Sequence, residues 1–136
     1  MNNLSALNIL VVDDDPFMRN TIRVLLRAVD RSILVTAAGD GDTALRLIEE
    51  DAPELVLCDV DMAPMSGLEL VARIRNHPNE ALRNTAVVML TVHSDGGTVH
   101  DAARLNISGY LVKPVSPKML GERLHAIFRN RQGIQP

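Results

Sequence analysis

Five aspartates stand where apolar runs of this 136-residue chain end. Asp59 and Asp61 follow PELVLC (53–58), and Asp13, Asp14 and Asp15 follow NILVV (8–12). Strand ends usually close in Gly, Asn or Pro, which turn the chain, so clustered acids there point to chemistry. A hydroxyl, Thr91, closes TAVVML, and an ammonium, Lys113, follows GYLV (109–112). Carboxylates brought close together raise one another's proton affinity. A divalent cation relieves that repulsion, and an all-oxygen donor set without His or Cys favours Mg²⁺. Beside such an ion Asp59 is a nucleophile whose acyl phosphate would be held by Mg²⁺, Thr91 and Lys113. Positioning and charge neutralisation are what phosphoryl transfer needs from a protein.

The elements that must gather these residues alternate steadily. Strands are expected at 8–14, 32–38, 54–59, 85–91 and 109–112, and helices at 16–29, 40–52, 66–77, 96–106 and 116–131. The first strand is a continuous β-branched run, the mark of a strand covered on both faces. Pro16 suits a first helical turn, and positions 18, 22, 25, 26 and 29 keep helical spacing. Ser116 is an expected N-cap with Pro117 behind it. HPNEALRN (77–84) reads as a polar excursion, and Gly96-Gly97 weaken the start of the fourth helix. The pattern is (βα)5, a doubly wound α/β fold with a five-stranded parallel sheet. In such sheets the functional crevice lies at the carboxyl ends of the strands, where Asp13, Asp14, Asp59, Thr91 and Lys113 fall.

Composition narrows the function classes. The chain is 46% hydrophobic and 23% charged with a net charge of −3, so disorder and a basic nucleic-acid surface are both disfavoured. Aromatics are 2%, too few for a base-stacking platform. No apolar run nears the ~18 residues that span a bilayer, and the first residues lack the features of a secretory signal. The single cysteine, Cys58, sits in an apolar strand and is expected to be a small core residue. The expectation is a cytoplasmic single domain over 1–136, with a core of about 8–129 and loose tails at 1–7 and 131–136.

ILVVDDDPFMR, PELVLCDVDMAPMSGLEL, VVMLT and GYLVKP, in this order and strand context, resemble the receiver domain of bacterial two-component response regulators, of the chemotaxis-response-regulator type. The resemblance runs from about Asn8 to Arg129. It implies a flavodoxin-like strand order 2-1-3-4-5 and a phosphorelay role. Asp59 would be the phosphoacceptor, and Asp13, Asp14, Asp59 and the backbone carbonyl of Asp61 would hold Mg²⁺. Thr91 would be the switch hydroxyl, Lys113 the partner of the phosphoryl group and Tyr110 the aromatic switch. Lys113-Pro114 would be a cis bond. The donor would be a sensor histidine kinase or a histidine phosphotransfer protein. The face of the fourth helix, fifth strand and last helix, about 96–129, would bind an output protein or a second copy of the chain. Slow self-dephosphorylation is the only turnover implied.

Three departures stand out. The family's Met-Pro is here Met62-Ala63-Pro64, one place late, which implies a different path for that loop. Val92 stands where a small residue is favoured, and would narrow access for donors or slow the switch. Asp61 and His93 occupy the positions that tune phosphoryl lifetime, where an acid and an imidazole either orient an attacking water or repel it.

Plainer readings compete. Asp15 before Pro16 is expected to be a helix cap, and His77, His100 and His125 surface residues without metal spacing. The RNRQ run is expected to be a solvated last helical turn, favoured by the helix dipole. Among functions, DVD also resembles the Asp-x-Asp of haloacid-dehalogenase-type phosphatases, but that motif ends a first strand, and here it ends the third. A flavodoxin-like electron carrier lacks its phosphate loop here, and a phosphate-independent receiver-like domain is the remaining alternative.

Overall fold

The computed structural model of the protein describes residues 2–92, 101 and 103–132. Five strands, β1 (Asn8–Val12), β2 (Leu34–Ala38), β3 (Leu55–Asp59), β4 (Ala86–Thr91) and β5 (Gly109–Val112), form one parallel sheet in the order β2-β1-β3-β4-β5. The helices described are α1 (Pro16–Val29), α2 (Gly41–Glu50), α3 (Gly67–Arg75), a single turn α4 (Glu80–Arg83) and α5 (Pro117–Ile127).

The inner strands read as unbroken apolar runs because both of their faces are covered. Leu10, Val12, Val56, Cys58, Val87 and Met89 point to one side, where α2 and α3 bring Ala44, Ile48, Leu70, Val71 and Ile74. Ile9, Val11, Leu55, Leu57, Val88 and Leu90 point to the other, against Ile22 and Leu26 of α1 and Leu120 and Leu124 of α5. The edge strand β2 is largely uncovered, and it starts at Leu34, two residues later than its sequence suggests. Each long helix among the described residues has a side-chain N-cap: Asp15 accepts from the Phe17 amide, Asp40 from Thr43, Ser66 from Glu69 and Ser116 from Met119.

Three expectations need correction. Within the expected tail 1–7, residues 2–7 are not loose, because Leu4 and Leu7 are fully buried in the α1–α5 layer and the Leu7 carbonyl accepts from the Leu34 amide at 2.9 Å. The polar stretch 77–84 contains α4, started by the Asn79 side chain, which accepts from the Ala81 amide at 2.9 Å. The RNRQ run is neither a last helical turn, since α5 ends at Ile127, nor wholly solvated. Arg131 pairs with Glu54 at 2.6 Å and donates to the Asn3 carbonyl at 2.9 Å, tying the segment after α5 to the segments that lead into β1 and β3. Of the helix expected at 96–106, positions 96–100 and 102 lie outside the described residues, as does the tail beyond Gln132.

Candidate functional site

Parallel register decides which residues meet. Val12 lies level with Cys58, so Asp13 and Asp59 leave the sheet side by side. Asp59 lies level with Leu90, and Thr91 with Val112, so Thr91 and Lys113 emerge at the same edge. Asp13 is 2% exposed, Asp59 6% and Thr91 1%, while Asp14 faces solvent. Carboxylate oxygens of Asp13, Asp14 and Asp59 all lie within 4.8 Å of one another. The Lys113 ammonium reaches in to 3.2 Å from Asp59 Oδ1 and 3.5 Å from Asp13 Oδ2.

One ammonium between two covered carboxylates leaves negative charge in excess. Burial raises the Asp59 pKa above its ordinary value, and the neighbouring Asp13 charge raises it further. The Lys113 charge and hydrogen bond and the Asp61 amide, which donates to Asp59 Oδ1 at 3.3 Å, pull the other way without cancelling the rise. Asp13 Oδ1 accepts from the Asp15 amide at 2.9 Å, but its Oδ2 is buried and accepts no hydrogen bond, the 3.5 Å approach of Lys113 being too long for one. A buried acceptor left so is costly. With three oxygen donors and one solvent-facing carboxylate, this cradle fits a hard divalent cation that keeps part of its water.

The other expected residues are distributed around this cluster. Thr91 sits beside it, its carbonyl accepting from the Lys113 amide at 2.7 Å. Asp61 is exposed at its rim. Tyr110 is on β5 and 38% exposed, and Val92 is 61% exposed. His93 lies outside the described residues. Lys113-Pro114 is cis, as the resemblance implies, and so is Ala63-Pro64 in the loop where the proline is displaced by one place. Cys58 is fully buried, and burial pushes its thiol far above the ordinary range, as suits a core residue.

Two supporting residues were not legible as functional. Gly67 starts α3 against the end of β3. Its amide donates to the Val60 carbonyl at 3.0 Å, and a Cβ there would stand 2.2 Å from the Asp59 carbonyl oxygen. A glycine opening a helix after a serine N-cap was its one sequence signal. Arg19, inside the motif that carries the acids, donates from Nη1 to the Asp13 carbonyl at 2.8 Å.

A doubly wound sheet of order 2-1-3-4-5 with acids at its central crevice and a lysine beside them defines a class of signalling receiver domains. The chain belongs to the response regulator receiver domain family, whose model matches residues 9–125. It is 34% identical to the chemotaxis protein CheY of Pseudomonas aeruginosa, covering 93% of this chain and all of that one. It is 30% identical to the nitrate/nitrite response regulator protein NarL of Escherichia coli, of which it spans only 56%. A solved structure of the chemotaxis protein CheY4 of Vibrio cholerae superposes with a TM-score of 0.80 at 27% identity, over 90% of this chain and 99% of that one. Among the described residues no helix is long and apolar enough to cross a membrane.

Proposed function

We propose that this receiver domain accepts a phosphoryl group on Asp59 from a phosphohistidine, borne by a sensor histidine kinase or a histidine phosphotransfer protein, in a Mg²⁺-dependent reaction in the cytoplasm. The observation that carries the reading is the buried Asp13 Oδ2 without a hydrogen bond, beside an Asp59 whose charge is only partly offset by Lys113.

Asp13, Asp14 and Asp59, with the Asp61 carbonyl, would hold the ion. When bound, it neutralises the carboxylates and the charge on the transferring group. A carboxylate oxygen of Asp59 attacks phosphorus. The P–O bond to Asp59 forms as the P–N bond to the donor breaks, and the electron pair leaves with the imidazole nitrogen. Lys113, already 3.2 Å from Asp59, exchanges a carboxylate partner for a phosphoryl oxygen. Thr91 turns its hydroxyl to the same group, and Tyr110 follows from the exposed position it holds here. The face at about 96–129 then changes its affinity for an output protein or a second copy of the chain. Asp61 and His93 set how fast water removes the phosphoryl group, and the domain is a switch that turns over only in this slow sense.

The test is intact-mass analysis after incubation with acetyl phosphate and Mg²⁺. One phosphoryl adduct is expected, dependent on Mg²⁺ and absent in Asp59→Asn. No adduct, with beryllofluoride also leaving the spectrum of the protein unchanged, would replace this reading with a receiver that signals without phosphate.

A further inference from the structure

Asp13 is tied at three points. Its amide donates to the Ala38 carbonyl at 3.1 Å, its Oδ1 accepts from the Asp15 amide at 2.9 Å, and its carbonyl accepts from Arg19 Nη1 at 2.8 Å. These ties fix both the backbone and the side-chain rotamer, and they leave Oδ2 facing Lys113 and the cluster. The first two are made by backbone amides near the site. The third comes from a long, flexible side chain in α1, which must itself be held to hold anything.

Its seat is Gly39. A Cβ at residue 39 would stand 3.0 Å from Arg19 Nη1 and 3.5 Å from its guanidinium carbon. The backbone at Gly39 is not left-handed, so the turn itself does not require glycine. Gly39 directly follows Ala38, the residue that takes the Asp13 amide, so the guanidinium rests where the ends of β1 and β2 come together. Arg19 makes no ion pair with any described residue, although Asp13, Asp14 and Asp15 are close in sequence. A cation placed for charge alone would seek a carboxylate, and this one is aimed at a carbonyl.

We infer that Arg19 is a positioning residue for the divalent-cation site, acting through the Asp13 carbonyl, and that Gly39 is the bare surface that seats it. The inference rests on the cation site proposed above. Two effects of Arg19 oppose each other. Its charge repels an incoming cation, while its hydrogen bond keeps Asp13 in a ligating orientation. Partners that orient a metal ligand are typically worth 10–100-fold in affinity, whereas the charge of a partly solvated guanidinium is screened. Positioning therefore outweighs repulsion, and losing Arg19 weakens cation binding.

The experiment is titration with Mn²⁺, following the free ion by electron paramagnetic resonance. It uses the wild type, Arg19→Met, Gly39→Val and the double variant, each checked for folding by circular dichroism. Arg19→Met is expected to bind about tenfold more weakly. Gly39→Val, which keeps the arginine but unseats it, is expected to weaken binding in the same direction. The double variant should be no weaker than Arg19→Met, because the valine acts only through the arginine. Unchanged or tighter binding in Arg19→Met would show that charge alone matters and overturn the inference. Should Arg19→Met fail to fold, unchanged binding in Gly39→Val overturns it equally. A wild type that binds no Mn²⁺ overturns the cation site and this inference with it, whereas normal wild-type binding with unaltered variants overturns this inference alone.

Discussion

Opposite edges of one sheet treat covered charge in opposite ways. At the amino edge of β4 and β5, the half-buried Arg75 donates from Nε to the Leu105 carbonyl at 2.8 Å and from Nη1 to those of Arg83 and Thr85 at 2.9 and 2.8 Å, while Nη2 reaches Asn106 at 3.3 Å. Burial still lowers its pKa, but each of its three nitrogens has a carbonyl partner. At the carboxyl edge, Asp13, Asp14 and Asp59 crowd together with one ammonium, and an Asp13 oxygen has no hydrogen bond. One edge minimises its own energy. The other holds an excess of negative charge that a cation would offset. Local conflict inside an otherwise consistent fold is where function is expected to sit.

The largest way to break this contrast is at the close approach that supports the carboxyl edge. Gly67→Ala places a methyl 2.2 Å from the Asp59 carbonyl oxygen and 2.9 Å from the Val60 Cα, both backbone atoms that cannot swing aside. A loss of about 3 kcal/mol is expected in urea unfolding, together with weaker Mg²⁺ binding, because the end of β3 must move. Unaltered stability would mean that α3 slides freely along the strand.

Arg75→Met should come next. It leaves carbonyls from two loops without a donor, and about 2 kcal/mol of stability is expected to go, with faster amide exchange around 105–108. Mg²⁺ affinity should stay as it was, because the site is at the other edge. A change in that affinity would show the two edges to be coupled. Arg131→Met is a smaller change of the same kind. Arg131 is mostly covered and grips both Glu54 and the Asn3 carbonyl, so about 1 kcal/mol is expected, shrinking as salt is added.

What was legible in the sequence depended on range. Alternating apolar runs and helical spacing gave the α/β order, and α1 begins and ends where Pro16 and the 18–29 periodicity place it. The chemistry at the carboxyl edge could be read because residues one step past each strand must share that edge once the sheet is parallel. Leu4 and Leu7 were missed because a pair three apart, outside any longer periodic run, carries too little pattern to mark a buried segment. The four residues of α4 are too few for any period to show. Gly67, Gly39 and Arg75 matter through approaches between distant segments, which no local pattern records.

The smallest expected effect has the opposite sign and bears most directly on the comparison. Asp59 titrates above its ordinary value in the folded chain, chiefly through burial and then through Asp13. Between the unfolded value near 3.8 and the raised folded one, the folded chain binds more protons than the unfolded chain, so stability falls as pH rises through that window. Above it, ionised Asp59 remains a cost. Without divalent cations, Asp59→Asn should therefore melt higher than wild type at neutral pH, and its advantage should shrink as pH falls toward 3.8. Adding Mg²⁺ should reverse the order, since a ligand stabilises only the form that binds it and the variant lacks one carboxylate. Differential scanning calorimetry across pH, with and without Mg²⁺, reads all of this. An asparagine variant that melts lower than wild type in metal-free buffer at neutral pH would mean that Lys113 already compensates the cluster, and the contrast between the two edges would then disappear.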